Sequence, residues 1–164
     1  MNKIVVIVVL SLFFETVQAQ KNQGFEPKTK TQHIMFAVSA VERDSDFVAA
    51  IAYINEAIAM DSTCAFCFSF RANIHLLQEE YGLALSDFGK AFLFDPEDLS
   101  NLLSRAKCYY FLKNYEKSLE DLNQAVATSL FDADVYLWRS KVKKVLGDSI
   151  GSESDLKTYN RLNE

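Results

Sequence analysis

Hydrophobic residues recur along the chain at the spacing of amphipathic helices, and the whole pattern repeats with a period of 34 positions. The stretch YGLALSDFGKAFLFDP, residues 81 to 96, illustrates it. Its opening Tyr81 has an aromatic counterpart one period earlier, at Phe47, and another one period later, at Tyr115. Three further positions of the repeat match in the same way, without an insertion. A small residue recurs at Ala50, Ala84 and Ser118, a large apolar residue at Ile54, Phe88 and Leu122, and alanine at Ala57, Ala91 and Ala125. A repeat of this kind predicts stacked structural units that bury their apolar faces against one another.

Each 34-residue unit contains two amphipathic stretches of about a dozen residues with a short polar turn between them. In the third unit we expect helices over 99–112 and 115–128, separated by Lys113 and Asn114. The expected N-caps of the second helices include Asp46, Asn114 and Asp148. The predicted units are 31–64, 65–98, 99–132 and 133–164. The last helix, about 152–162, is more polar than its equivalents and is expected to cap the array.

The first twenty residues, MNKIVVIVVLSLFFETVQAQ, follow a different pattern. An early Lys3 precedes an apolar run over residues 4 to 10, and the small Ala19 ends the segment. This arrangement is typical of a secretory signal peptide over 1–19, with cleavage after Ala19, and the alternative is an uncleaved membrane anchor. We therefore expect a secreted or periplasmic protein that meets the membrane only through this segment before cleavage. Residues 20–30 are polar and are expected to form a linker.

A charge pattern follows the same period. Arg71, Arg105 and Arg139 occupy equivalent positions in successive units, and an aspartate follows each of them at a constant spacing. These aspartates are Asp87, Asp121 and Asp155. An arginine and an aspartate at fixed registers on neighbouring helices predict one structural ion pair in each unit.

On these registers the chain resembles the tetratricopeptide repeat proteins. The unit length, the small and aromatic residues of YGLALSDFGKAFLFDP and its closing Pro96 match the family's second helix and exit turn. The resemblance covers residues 31–164, although Ser62 and Leu130 stand where other units of the family close with proline. It implies an all-α fold, a right-handed superhelical solenoid of about four helix-turn-helix repeats.

Composition agrees with one folded, helical domain, because 49% of residues are hydrophobic and the chain has only five Gly and two Pro. The net charge of −5 gives no reason to expect nucleic acid, whose phosphates require a basic surface. No constellation for acid–base or nucleophilic catalysis is recognisable, so we expect neither an enzyme nor a cofactor.

The three cysteines leave several interpretations open. Cys64 and Cys67 form a CxxC pair, and Cys108 is separate. We expect packing cysteines, with a disulfide as one alternative and a redox or metal site as another. No second CxxC or histidine pair completes a zinc site, so no metal is expected. His75 is expected to pack in the core or the groove, since its register holds Val41 and Tyr109 elsewhere.

The family resemblance also implies a binding surface, because the first helices of tetratricopeptide repeats line a concave groove for a peptide. By register, the groove residues are Met35, Phe36, Ser39, Phe66, Ser69, Phe70, Asn73, Leu77, Leu103, Ser104, Lys107, Tyr110, Leu137, Trp138 and Lys141. Several of the aromatics are alternatively expected to pack inward between helices.

Among these residues we expect three apolar anchors, one ligand for peptide backbone and two cations for an acidic partner. The apolar anchors are Phe70, Tyr110 and Trp138. The ligand for peptide backbone is Asn73, and the two cations are Lys107 and Lys141. The implied function is a non-catalytic adaptor that binds a protein or peptide partner. The alternative is a structural or self-associating subunit of an envelope or secreted assembly, including a homodimer. A redox or metal protein built on Cys64 and Cys67 is a third class.

Overall fold

The computed structural model describes residues 27–96, 98, 100–128 and 132–164. Within these residues the regular secondary structure consists of eight α-helices, without a β-strand. They are α1 (Lys30–Asp44), α2 (Phe47–Met60), α3 (Ala65–Leu77), α4 (Tyr81–Phe94), α5 (Leu102–Phe111), α6 (Tyr115–Thr128), α7 (Ala133–Val145) and α8 (Ser149–Leu162). The predicted all-α helical repeat fold is confirmed. The predicted signal peptide 1–19 lies outside the described residues, and no described helix is long and apolar enough to cross a membrane.

The helix starts are fixed by side-chain caps at the predicted positions. Asp46 accepts a hydrogen bond from the Ala49 N–H at 2.9 Å, and Asp148 accepts one from the Gly151 N–H at 2.8 Å. Asn114 caps α6 in the same way. The last helix was predicted to begin near residue 152, but α8 begins at Ser149, directly after the Asp148 cap.

Each turn inside a helix pair contains one residue with left-handed backbone geometry, and these residues follow the period of the sequence. They are Ser45, Glu79, Lys113 and Gly147, with φ of 49°, 62°, 60° and 85°. In the last three turns the next N–H donates to a carbonyl of the preceding helix, from Glu80 to His75, Asn114 to Tyr109 and Asp148 to Lys143. This hydrogen bond provides a donor for a carbonyl that has no partner within its own helix. The period is therefore present in the backbone as well as in the side chains.

The chain divides into two compact units, Met1–Cys67 and Phe68–Glu164, with α3 beginning in the first and continuing in the second. In the first unit α1 packs on α2. Small residues on both helices, including Ala37, Ala40 and Ala50, are buried and let the backbones approach closely. The larger buried residues are Phe36 and Ile54, and the Phe36 ring meets Tyr53 edge-on at 5.4 Å.

In the second unit the buried positions follow the predicted registers. Ala84 and Ser118 are fully buried at the small position, and Phe88 and Leu122 are fully buried at the large one. Helices α5, α6 and α7 enclose one core cluster consisting of Leu102, Ala106, Leu122, Ala125, Val135 and Val142. At the fourth copy of the large position, Leu156 is 40% exposed. The large apolar position is therefore buried on α4 and α6 but partly exposed on α8.

The predicted arginine–aspartate pairs form in the three repeats 65–98, 99–132 and 133–164. Each arginine on a first helix donates through Nε and Nη2 to both carboxylate oxygens of the aspartate on the second helix, at 2.6 to 2.9 Å. The aspartates Asp87, Asp121 and Asp155 are at most 5% exposed. Bidentate geometry of this kind fixes the orientation of one helix against the other.

One turn of helix after the arginine, a second basic residue joins this network in two units. Lys143 contacts Asp155 at 2.8 Å. Burial acts to raise the pKa of Asp155, but hydrogen bonds from Arg139 and Lys143 outweigh it and lower that pKa. His75 occupies the equivalent place, with Nδ1 2.6 Å from Glu80 and Nε2 4.0 Å from Asp87. His75 is half-buried, and the expectation that it packs in the core or the groove did not include these contacts with Glu80 and Asp87.

Candidate functional site

The predicted groove residues all lie on the first helices of successive pairs. Phe66, Phe70 and Asn73 are on α3; Leu103, Lys107 and Tyr110 are on α5; and Leu137, Trp138 and Lys141 are on α7. Phe66 belongs to the first unit and is 53% exposed. The other eight belong to the second unit, where their mutual geometry is defined.

Four of these eight residues meet around the indole ring of Trp138. Tyr110 contacts it edge-on, with ring centroids 5.5 Å apart. The ammonium groups of Lys107 and Lys141 lie 5.4 Å and 4.3 Å from its ring centroid, within the range of cation–π attraction. The residues come from neighbouring helices α5 and α7, which contact one another in this unit. We call Lys107, Tyr110, Trp138 and Lys141 the indole site.

The indole site continues into a larger aromatic cluster that the sequence registers did not predict. Phe111 lies 5.8 Å from Trp138 and stacks on Tyr81 at 4.7 Å with ring planes 12° apart. Tyr115 contacts Tyr110 edge-on at 5.5 Å. The signal for this cluster was present in the run of three aromatics at residues 109 to 111. Because Phe111 is 46% exposed, the cluster is accessible from solvent at one edge.

The cluster also holds the indole site in place. Tyr110, Tyr115 and Trp138 are half-buried and pack against the apolar core shared by α5, α6 and α7. Tyr110 and Trp138 thus pack partly inward against this core, and a binding groove at their outer edges stays a prediction. Side chains fixed by packing lose little conformational entropy when a ligand binds, which favours affinity.

The electrostatics of the indole site differ from those of the whole chain. The chain carries a net charge of −5, yet this site brings two ammonium groups to one ring. Neither lysine has a carboxylate within ion-pair distance among the described residues, in contrast to Lys143 and Lys157. Lys141 is exposed and Lys107 is half-buried. Each ammonium is attracted to the negative face of the indole, and an anion bound near either lysine would gain from its charge.

The remaining groove residues are less closely grouped. Phe70, Leu103 and Leu137 are half-buried. Asn73 is half-buried and donates through Nδ2 to the Ser69 carbonyl at 2.9 Å and to Asn101 Oδ1 at 3.4 Å. In the wider set named from register, Phe36, Ser39 and Ser69 are buried, at 2%, 4% and 8% exposure. These three cannot line a groove, because neighbouring helices cover them.

The cysteines differ from the favoured expectation. Cys64 and Cys67 form a disulfide at the start of α3, with Cα atoms 5.3 Å apart, so the interpretation as separate packing cysteines is wrong. Cys108 is a buried free thiol, as expected of a packing cysteine, and burial raises its pKa to about 12. A bridge that encloses so short a loop stabilises a fold by only about 2 kcal/mol through loop entropy. No cluster of three or more metal-ligating side chains occurs in the described part of the chain.

Comparisons with known proteins agree with this architecture. No protein-family model matches the chain. A crystal structure of MamA superposes with a TM-score of 0.79 at 12% sequence identity, covering 99% of this chain and 95% of that one. The TPR domain of Arabidopsis OM64 gives a TM-score of 0.66 at 19% identity, covering 71% of this chain and 95% of that one. The chain has a tetratricopeptide-repeat-like fold.

Similarity is also detectable at the level of sequence, to a curated protein. The chain is 26% identical over 129 residues to the Protein SGT1 homolog of Bos taurus. The matched region is 79% of this chain but only 37% of that protein. The chain therefore spans well under half of the length of this relative.

Proposed function

We propose that the chain is a non-catalytic protein–protein interaction module that holds a segment of a partner against the first helices of its repeats. Proteins with a tetratricopeptide-repeat fold are generally interaction modules rather than enzymes. The observation that carries the proposal is the indole site, in which Tyr110 and Trp138 combine with two lysines that lack a carboxylate partner among the described residues. Aromatic side chains in half-buried positions are typical of interface hot spots.

The chemistry of the site specifies the class of segment. The aromatic edges of Tyr110 and Trp138 favour an apolar or aromatic side chain, while Lys107 and Lys141 favour a carboxylate beside it. Asn73, Leu103 and Leu137 extend the surface along α3, α5 and α7, and Phe70 provides a further apolar contact. The preferred ligand is thus an acidic peptide with at least one large apolar residue.

Peptide selection tests this preference. A displayed library of random peptides is selected on the full chain, and the enriched sequences are synthesised and titrated by fluorescence anisotropy. We expect enrichment of Asp or Glu next to Phe, Leu or Trp. Reversal of both charges in a Lys107→Glu and Lys141→Glu variant should weaken binding by at least about tenfold, because attraction becomes repulsion.

Lys144→Glu is the matched control, since Lys144 is an exposed lysine on the same helix α7. It changes the net charge like Lys141→Glu but does not approach the indole. If Lys144→Glu weakens binding as much as Lys141→Glu does, the attraction arises from overall charge and the site assignment is wrong. Circular dichroism of each variant verifies that helicity is retained.

We also propose that the mature protein is secreted or periplasmic. The support is the signal-like segment 1–19, together with the Cys64–Cys67 disulfide, which forms and persists in oxidising compartments. Mass spectrometry of the protein recovered from its native source should give an N-terminus at Gln20. Recovery of the intact Met1 terminus in a membrane fraction would favour the uncleaved anchor instead.

Self-association is a second candidate function, and exposed apolar residues on α8 favour it. Leu156 is 40% exposed at the register where Phe88 and Leu122 are fully buried, and Ile150 on the same helix is 86% exposed. A second copy that packs on α8 over Leu156 would bury this residue. Light scattering should then show a concentration-dependent dimer that Leu156→Lys abolishes. A monomer at all concentrations would exclude self-association and leave the adaptor function unaffected.

A further inference from the structure

The Cys64–Cys67 disulfide has two sulfur atoms in different surroundings. Cys64 precedes the first residue of α3 and is half-buried, whereas Cys67 lies in the first turn and is fully buried. Thiol–disulfide exchange requires access to the sulfur that is attacked. Cys64 is therefore the less buried of the two cysteines and the expected point of attack, with Cys67 as the sulfur that leaves.

The backbone around Cys64 suits a thiolate. The Cys67 N–H donates a hydrogen bond to Cys64 Sγ at 3.2 Å. The start of α3 also places the positive end of the helix dipole beside this sulfur. Both effects favour the charged form of a cysteine, and they accompany the reactive thiols of other CxxC pairs. Cys108 provides the opposite case, because it is fully buried and the pKa of its thiol is about 12.

The turn before Cys64 is held rigidly by Asp61. One oxygen of this carboxylate accepts hydrogen bonds from the Thr63 N–H and hydroxyl, at 3.0 and 2.8 Å. The other oxygen is paired with Lys30 of α1 at 2.6 Å. The Cys64 N–H donates to the Asp61 carbonyl at 3.3 Å. The Asp61 carboxylate is thus paired with a cation, and its hydrogen bonds constrain the turn in addition to the disulfide.

Exposed apolar residues flank the pair in the sequence. Met60 ends α2 shortly before Cys64 and is 50% exposed, and Phe66 lies between the two cysteines and is 53% exposed. A bridge that encloses only two residues restricts the unfolded chain less than a long loop would, so a role besides stabilisation is compatible with it. A disulfide with exposed apolar residues close to it in the sequence suits a thiol substrate that is itself a protein.

We propose that Cys64 and Cys67 form a thiol–disulfide exchange site that oxidises a dithiol in a partner protein. A thiolate of the partner attacks Cys64 Sγ, the Cys64–Cys67 bond breaks, and Cys67 leaves as a thiolate that takes up a proton. The partner's second thiolate then attacks the partner sulfur that is bonded to Cys64, the mixed disulfide breaks, and Cys64 leaves as a thiolate that takes up a proton. The partner loses two electrons and two protons and gains a disulfide, while Cys64 and Cys67 become a dithiol.

The test uses the oxidised full chain and a short synthetic peptide with two reduced cysteines as the probe. Peptide oxidation is followed by mass spectrometry at pH 7, with glutathione disulfide as the reference oxidant. We expect one peptide disulfide for each chain reduced, at a rate at least about tenfold above the reference, because a stabilised Cys64 thiolate is the better leaving group in the second step. A rate equal to that of glutathione disulfide would overturn the proposal.

Single-cysteine variants separate exchange from a structural bridge. Cys67→Ser should form a mixed disulfide with glutathione disulfide at Cys64, at least about tenfold faster than Cys64→Ser forms one at Cys67. Circular dichroism of the wild-type chain after reduction provides the measurement that does not depend on these variants. Retained helicity with asymmetric reactivity supports the site. Equal reactivity of the two variants, or loss of helicity on reduction, would identify the bridge as structural.

Discussion

Arg105 donates two hydrogen bonds to Asp121, from Nε at 2.7 Å and from Nη2 at 2.6 Å, and these bonds raise the pKa of the guanidinium. The same guanidinium lies 4.1 Å from the ring centroid of Phe92. One side chain therefore joins α4, α5 and α6 of the second unit. Asp121 is 4% exposed, so its charge depends on Arg105 for compensation.

We expect Asp121→Ala to lower the free energy of unfolding by about 3 kcal/mol, because it leaves a largely buried guanidinium without its partner. Urea denaturation followed by circular dichroism measures the change. The exposed neighbour Glu120 provides the control, and Glu120→Ala should change stability by less than about 0.5 kcal/mol. An Asp121→Ala variant as stable as the wild type would refute the structural role of the pair.

The left-handed turn residues give a second prediction, in which two glycine substitutions have opposite signs. Gly147 has φ of 85°, so Gly147→Ala should destabilise the chain by about 1 kcal/mol. Gly89 lies inside α4, and an added Cβ there meets no atom within 4 Å. Gly89→Ala should therefore stabilise by about 1 kcal/mol. Thermal unfolding of both variants compares them directly, and a shift of the same sign in both would contradict the assigned turn geometry.

The Lys30–Asp61 pair gives a prediction about pH. Hydrogen bonds from Lys30 and Thr63 lower the pKa of Asp61 from 3.8 to about 2. A lowered folded-state pKa contributes stability above the unfolded value, and this contribution is lost as the pH falls from about 4 towards about 2. The stability difference between wild type and Lys30→Met should therefore shrink over that interval.

Lys28→Met is the control for this measurement, since the contact of exposed Lys28 with the described residues is a hydrogen bond from its backbone N–H to Gln32, which the substitution keeps. Its difference from wild type should not vary over the same pH interval. A Lys30→Met difference that stays constant from about pH 5 to about pH 2 would show that Lys30 does not determine the ionisation of Asp61.

Cys108 gives a prediction about reactivity. Burial raises the pKa of its thiol from 9.0 to about 12, which reduces the thiolate fraction at pH 8 by about a thousandfold. Iodoacetamide should accordingly label Cys108 in urea and leave it unmodified in the native chain over the same time, as determined by peptide mass spectrometry. Labelling of the native chain within about tenfold of the unfolded rate would show that the thiol is accessible.

The 34-residue period was sufficient to predict the helix pairs, the caps at Asp46, Asn114 and Asp148, and the three ion pairs. These features can be predicted from the sequence because each repeat needs the same kind of residue at the same position. The left-handed turn residues were not visible, since only Gly147 among them is a glycine and Lys113 tolerates that geometry at some cost.

The indole site was predicted only in part. Register placed Lys107, Tyr110, Trp138 and Lys141 on first helices, but a register does not specify which side chains touch. The contact of Phe111 with Tyr81 and Trp138 depends on how neighbouring pairs pack, and this contact has no counterpart in the repeat pattern. The disulfide was only an alternative to the favoured packing cysteines, because CxxC spacing alone does not determine whether the two sulfurs bond.

The fluorescence of Trp138 provides the most direct test of the proposed function, because it is the only tryptophan in the chain. An acidic, apolar peptide obtained by selection is titrated into the full chain while tryptophan emission is recorded, using a peptide that contains no tryptophan. We expect a saturable shift in emission with the same dissociation constant as anisotropy gives, and loss of that shift in the Lys107→Glu and Lys141→Glu variant. Tight binding by anisotropy with unchanged Trp138 emission would contradict the account, since the peptide would then occupy another surface.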